Sequence, residues 1–191
     1  SLSFIAIIAA DLGINQLLIR EIARSRKSVS KYFINAFAVK LAFALAAYLF
    51  IIILLNFLDY PKDTRYVVYA VWIFTIISNF TDLFYSIFRA FERMFYDSMI
   101  KIIRMMLRTA IGHYVLFRGY GVLAFSIVFI GVEALMLLIA YMAATQKFMK
   151  LEFDLDFKFM KNLVKTAFPL GIAFIFSSIY FYIDSVMLSK M

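Results

Sequence analysis

The sequence contains no cysteine, one histidine, two prolines and six glycines among its 191 residues. Without cysteine there is no disulfide framework and no thiolate metal site, and a single histidine cannot form a cluster of imidazole ligands. No glycine-rich phosphate loop or nucleophile elbow is present, and the acidic residues show no spacing typical of a catalytic pair. These absences argue against an enzyme and predict a protein without metal or organic cofactor.

Apolar side chains are what the sequence has in excess. Hydrophobic residues make up 65% of the chain and the mean hydropathy is +0.90, whereas a soluble domain is about 45–50% apolar. A hydrocarbon core about 30 Å thick needs about 20 apolar residues in a helix, and six windows, A to F, qualify. They are Leu2–Ile19, Tyr32–Leu58, Tyr66–Phe88, Phe95–Arg118, Tyr120–Thr145 and Thr166–Ser189. The sequence therefore predicts an all-α, polytopic membrane helix bundle, in which helix D is the least apolar because it carries Lys101, Arg104, Arg108 and His113.

The segment before helix F has a different character. Leu151–Lys165 begins with strand-like alternation and changes to helical spacing from Asp156, a residue suited to an N-cap. We expect a short amphipathic helix lying on the membrane, with a soluble strand as the alternative. Pro169 then falls near the start of helix F, where it costs little. The predicted divisions are helices A–E in residues 1–145, a cytoplasmic linker in 146–165 and helix F in 166–191.

Basic residues concentrate in alternate connections. The A–B, C–D and E–F connections hold twelve of them: Arg20, Arg24, Arg26, Lys27, Lys31, Arg89, Arg93, Lys147, Lys150, Lys158, Lys161 and Lys165. The other side has three: Lys62, Arg65 and Arg118. Basic connections stay in the cytoplasm, so helix A runs from outside to inside. The net charge of +8 follows this topology, which favours a multi-pass protein of the cytoplasmic (inner) membrane over a nucleic-acid-binding protein.

Charged and polar side chains also fall inside the predicted spans, where a charge is costly unless it is paired or faces a cavity. Many recur at steps of three and four residues, so they share a helix face. The candidates for a substrate cavity are Asp11, Asn15, Lys40, Asp82, Arg104, Arg108, Glu133 and Asp184. Arg108 lies about midway along helix D, too deep for easy snorkelling, and is the residue for which we favour function.

Structural explanations stay open for these residues. Arg108 can pair with an internal acid such as Glu133 or Asp11. Asp82 can pair with Arg89 or with a neighbouring helix. Asp184 lies near enough to the outer surface to reach water.

Three stretches resemble a known family. They are DLGINQLLIREIAR (Asp11–Arg24), FRAFERMFYDS (Phe88–Ser98) and FPLGIAFIFSSIYFYIDSVMLS (Phe168–Ser189). Together, and in this order, they resemble the polysaccharide-biosynthesis, O-antigen-type flippases of the multidrug/oligosaccharidyl-lipid/polysaccharide exporter superfamily. The resemblance covers essentially the whole chain. It implies a MATE-like fold of two helical bundles around a central cavity that works by alternating access.

On this mapping, helices A–E are similar to the second to sixth helices of the first bundle, and helix F to the first helix of the second. The chain is then expected to be a fragment that does not transport alone. The implied substrate is a polyprenyl-pyrophosphate-linked sugar, whose pyrophosphate a cationic cavity would hold. The implied partners are membrane lipid and other polysaccharide-assembly membrane proteins, without nucleic acid, and the coupling ion, proton or sodium, stays open.

Other functions remain possible from the sequence. A drug or cation exporter of the same superfamily would want a carboxylate-rich cavity with few cations. A membrane-bound glycosyltransferase or acyltransferase would need an acidic or histidine site at a membrane face. A non-transporting membrane protein would not need charges at mid-depth. The mixture of signs inside the spans, with many cations, favours an anionic substrate.

Overall fold

The computed structural model describes residues 13–57, 62–150, 152 and 154–188, with the backbone alone at 54, 56, 62–64, 174–175 and beyond Phe176. These residues form six α-helices and no strand. The helices are α1 (Ile14–Arg24), α2 (Val29–Phe57), α3 (Lys62–Ala90), α4 (Met94–Phe117), α5 (Val122–Lys147) and α6 (Phe157–Leu188), and a single 3-10 turn, Arg26–Ser28, joins α1 to α2. The all-α prediction is confirmed.

Helices B to E were predicted to within four residues at either end, as α2 to α5. Helix A differs, because α1 continues beyond the predicted end at Ile19 to Arg24. Arg20 and Arg24 therefore lie on the helix and not in the connection. The cause is Ile22, which is fully buried one turn beyond Leu18 and extends the apolar face.

The predicted amphipathic helix and helix F form one continuous helix, α6, with Pro169 inside it. Leu163 and Ala167 are both buried, so the packed face runs on without a break at residue 165. The strand alternative is wrong, since the described residues before α6 have no regular structure. The division of the chain between two bundles stays a prediction.

Asp156 caps α6, as predicted. Its Oδ1 accepts the N–H groups of Lys158 at 3.0 Å and Phe159 at 3.1 Å, which have no partner within the helix. The Phe159 N–H, helped by the nearby Lys31 ammonium and the Lys158 N–H, holds the pKa of Asp156 below its ordinary value.

Helix α3 is the centre of the bundle. It packs most extensively on α5 and also contacts α1, α2 and α4. All six consecutive residues of Leu83–Phe88 are at most 4% exposed. A helix at a surface buries one stripe, so burial all round means that this part of α3 is enclosed by its neighbours.

The start of α1 approaches α6 closely at Gly13. This residue has φ +74°, and a Cβ added to it would lie 2.5 Å from the backbone N of Gly171 and 2.8 Å from the carbonyl oxygen of Ala167. Glycine is required here both by the left-handed backbone and by the contact.

Within the part of the chain that the structure describes, three helical segments are long and apolar enough to cross a membrane: Arg26–Ile53, Arg65–Ala90 and Val122–Lys147. The outer face of α2 is apolar and open, with Phe50 65% and Ile53 67% exposed, as expected of a surface that meets lipid. Helix α4 is not among the three, because its basic residues fall within its apolar stretch. Most of helix A lies outside the described residues, so six crossings stay a prediction.

The three basic connections meet at one end of the bundle. The Arg26 guanidinium lies 5.4 Å from the ring centre of Phe91, and Phe91 lies 5.3 Å from Phe148. This joins the A–B, C–D and E–F connections in space, as one shared side requires. Which side of a membrane that end faces stays a prediction.

Candidate functional site

A ladder of charged residues runs along one face of α4. Asp97, Lys101, Arg104 and Arg108 follow each other at steps of four, three and four residues, so they project from the same side of the helix. At the end of the ladder nearest the start of α4, Asp97 is 8% exposed. It accepts a hydrogen bond from Arg89 Nε at 2.9 Å and forms an ion pair with Lys101 Nζ at 2.7 Å.

At the other end of the ladder, Arg104 and Arg108 meet Glu133 of α5, which is fully buried. Its Oε1 accepts a hydrogen bond from Arg104 at 3.0 Å, and its Oε2 accepts one from Arg108. One carboxylate therefore serves two guanidinium groups. Of the two acids that the sequence suggested as partners of Arg108, Glu133 is bonded to it, and Asp11 lies outside the described residues.

Aromatic rings hold the cations in place from the other side. The Arg108 guanidinium lies 4.7 Å from the ring centre of Phe74 and 5.6 Å from that of Phe129. Tyr85 lies beneath both Lys101, at 5.1 Å, and Arg104, at 5.5 Å. Such cation–π contacts fix the guanidinium without neutralising its charge.

Positive charge is in excess in this ladder. Four basic side chains (Arg89, Lys101, Arg104 and Arg108) share two carboxylates, Asp97 and Glu133, which leaves a formal excess of two positive charges. Nε of Arg108 is buried and has no hydrogen-bond partner among the described residues. A buried donor without a partner is costly, so this guanidinium has a hydrogen-bonding group that Glu133 does not use.

The ladder opens onto a cleft of about 610 Å³ between α4 and α5. Lys101, Arg104 and Arg108 line it together with Gly112, Phe125 and Phe129. The side chains of Arg104 and Arg108 are 17% and 23% exposed, so each is anchored on Glu133 and still reaches the cleft. The absence of a side chain at Gly112 leaves room, since a Cβ there would lie 3.1 Å from Phe125.

A second polar contact joins α1 to α2. Lys40 is 3% exposed, and its Nζ donates to Oδ1 of Asn15 at 2.9 Å. Lys40 also lines a cavity about the size of one water molecule, with Thr75 and Asn79. Lys40 and Asn15 lie on α2 and α1, whereas the cleft is lined from α4 and α5, so the structure does not bring them into one site.

Three candidates remain: Asp82, Asp11 and Asp184. Asp82 is half-buried on α3 and does not line the cleft. Asp11 lies outside the described residues, and Asp184 lies where α6 is described by its backbone alone. Of the eight candidates, the structure brings together Arg104, Arg108 and Glu133.

The sequence did not single out Phe74, Phe129 or Tyr85 as site residues. Each is one aromatic residue among many on apolar helices, and 19% of the chain is aromatic. Asp97 and Lys101 belong to the same stripe as the two arginines, and their spacing was the signal that could have placed them in the site. Among the described residues no group of three or more His, Cys, Asp or Glu side chains could hold a metal ion.

Apolar helices of bilayer length, an open apolar outer face and ionised groups held between helices define an all-α membrane helix bundle with an internal ionic site. The comparison with protein families identifies it further. The family model described as polysaccharide biosynthesis protein matches residues 1–191, and the chain belongs to this family. The predicted family resemblance is confirmed. Nothing matched the chain among curated proteins or solved structures.

Proposed function

We propose that this chain is part of a flippase that moves lipid-linked oligosaccharide or polysaccharide precursors across the cytoplasmic membrane. Members of the family are generally transporters rather than enzymes. The observation that carries the proposal for this chain is the cation-rich cleft between α4 and α5. The orientation follows the basic connections, which would lie in the cytoplasm.

The charge of the cleft fits a pyrophosphate. Arg104 and Arg108 share a single carboxylate, so neither guanidinium is fully neutralised. Planar guanidinium groups bind phosphate oxygens through parallel N–H donors, and Lys101 adds a point charge one turn away. Phe74 and Phe129 keep the Arg108 guanidinium in position before the ligand arrives, which reduces the ordering that binding would require.

The surroundings of the cations suit the rest of such a substrate. Thr109 and His113 line the cleft beside the aromatic rings of Phe125 and Phe129 and offer hydrogen-bonding groups for sugars. The exposed apolar surface of α4, with Met105 72% and Met106 67% exposed, would leave an isoprenoid tail in contact with lipid. Alternating access around this site, and coupling to a proton or sodium ion, belong to the same proposal.

A drug or cation exporter fits the site less well. Glu133 is fully buried and already serves two arginines, so it offers a cation no open carboxylate. A purely structural role is the stronger competitor, because the pairing of Arg108 with Glu133 alone would explain a charge at this depth.

Arg108 variants of the full-length protein separate the two roles. Under the proposal, Arg108→Ala abolishes glycan export while the protein still inserts and accumulates, and Arg108→Lys keeps part of the activity. Arg118→Ala is the matched control, since Arg118 lies outside the ladder, and it should leave export unchanged. Export and membrane abundance are measured on the same cells.

Two outcomes would go against the proposal. Normal export by a well-expressed Arg108→Ala variant would remove Arg108 from the substrate path. A loss of abundance that is restored by adding Glu133→Gln would identify a structural pair, because the second change removes a buried carboxylate that has lost one of its two arginine partners.

A further inference from the structure

The segment between α5 and α6 is held against the first turns of α2 by a buried amide. Asn35 is fully buried. Its Nδ2 donates to the carbonyl oxygen of Asp154 at 2.9 Å and to that of Lys31 at 2.8 Å, and its Oδ1 accepts the N–H of Asp156 at 3.0 Å. One side chain thus binds the backbone on both sides of residue 155, as a neighbouring strand would.

Ser30 binds the same segment nearer its start, at Glu152. Its Oγ accepts the N–H of Glu152 at 2.8 Å and donates to the carbonyl oxygen of Glu152 at 3.2 Å. The described residues here have no regular structure, so their backbone groups need partners from elsewhere. Ser30 and Asn35 supply them, and neither contact depends on the side chains of the segment.

Charge and aromatic contacts extend the attachment to the first turn of α6. Lys31 Nζ lies 3.5 Å from Asp154 Oδ2 and 3.6 Å from Asp156 Oδ2. The same ammonium lies 5.2 Å from the ring centre of Phe159, and the Tyr32 ring packs against Phe159 at 4.9 Å. These groups are partly exposed, so each ion pair adds little by itself.

We infer that Ser30, Lys31 and Asn35, together with residues 152 and 154–156, form a latch that makes the first half of α6 one rigid unit with α1 and α2. Leu163 and Ala167 of α6 are buried, and Ala167 lies against Gly13 of α1. Any displacement of the first half of α6 from α2 would have to break the buried bonds of Asn35. The inference concerns the mechanics of the fold and does not depend on the proposed function.

Hydrogen exchange of the full-length protein in lipid nanodiscs tests the latch. Asn35→Asp keeps the shape of the side chain. It replaces the amide group that donates to two carbonyl oxygens with a carboxylate oxygen, which only accepts, and it buries a charge. We expect exchange of the amides in residues 152–156 to become at least about tenfold faster, while α3 to α5 keep their protection. Asn162→Asp is the matched control, because Asn162 is exposed on the first half of α6, and it should change nothing.

Two milder variants keep the test decisive if Asn35→Asp fails to accumulate. Ser30→Ala should speed exchange in the same segment about two- to tenfold, and Ser28→Ala, outside the latch, should not. Lys31→Gln should speed exchange in this segment by at most about fivefold. Unchanged exchange in both Asn35→Asp and Ser30→Ala, or in Ser30→Ala alone where only that variant folds, would overturn the latch. An effect of Lys31→Gln that exceeds that of both would overturn the role given to the two backbone-binding side chains.

Discussion

Replacement of Glu133 by glutamine is the most direct test of how the ionic ladder is held together. The change keeps the size of the side chain and removes the one carboxylate that Arg104 and Arg108 share. Glu133 is fully buried, and both arginines are mostly buried beside it. Removal of one partner from a buried ion pair costs about 3–5 kcal/mol, because it leaves an uncompensated buried charge. Here it leaves two.

That cost converts into a measurable shift of the melting temperature. For a cooperative unit of about 150–250 residues, the size of this chain, 1 kcal/mol shifts Tm by roughly 2–4 °C. The unit that contains Glu133 should therefore melt about 6–20 °C lower in the Glu133→Gln variant. The assay is thermal unfolding of the purified full-length protein in one detergent, followed by circular dichroism. Glu152→Gln is the matched control, since that side chain is exposed and the contacts of Glu152 with Ser30 are made by its backbone. Its Tm should stay within about 2 °C.

The double variant identifies the cause. Arg108→Gln combined with Glu133→Gln should cost at least about 1 kcal/mol less than the sum of the two single changes, because the two residues share one contact. A Tm within about 2 °C of the parent for Glu133→Gln, or strictly additive single changes, would refute the ladder as a source of stability.

Two further predictions concern backbone geometry and topology. Gly13→Ala should destabilise the protein by clearly more than Gly119→Ala in the same melting assay. Both glycines have φ +74°, which costs about 1–2 kcal/mol for alanine. Only at Gly13 would the added Cβ also meet backbone atoms, 2.5 Å from the N atom of Gly171. Equal losses would show that the contact with α6 is absent. Since the chain has no cysteine, single cysteines at Ser28 and Asp63 of the full-length protein report topology: an impermeant reagent added outside should label position 63 and spare position 28. The reverse pattern would invert the orientation.

The sequence predicted the helices because each long apolar window leaves one solution in a bilayer, a helix with all its backbone bonds satisfied internally. It did not predict where α1 ends or that the amphipathic helix and helix F are one helix, α6, because both depend on tertiary burial. Ile22 carries α1 one turn further, and Ala167 is packed against the start of α1. Local signals are weak at such boundaries.

The site was predicted in part for a similar reason. Spacing alone placed Arg104 and Arg108 on one face of α4. It could not choose between Glu133 and Asp11 as the partner of Arg108, because that choice depends on how two distant helices align. The same alignment places Phe74 and Phe129 around the Arg108 guanidinium. The position of either phenylalanine in the sequence does not predict this contact.

The position of Glu133 along the chain also bears on how the protein is made. During synthesis α4 emerges first, and the acid that compensates Arg108 follows 25 residues later. Two arginines at the centre of a span cost about 5–7 kcal/mol on insertion scales. At about 5–20 residues per second, the ribosome delivers Glu133 roughly one to five seconds after Arg108. We therefore expect helix α4 to stay beside the translocon until α5 arrives, and the two helices to enter the lipid together as a hairpin.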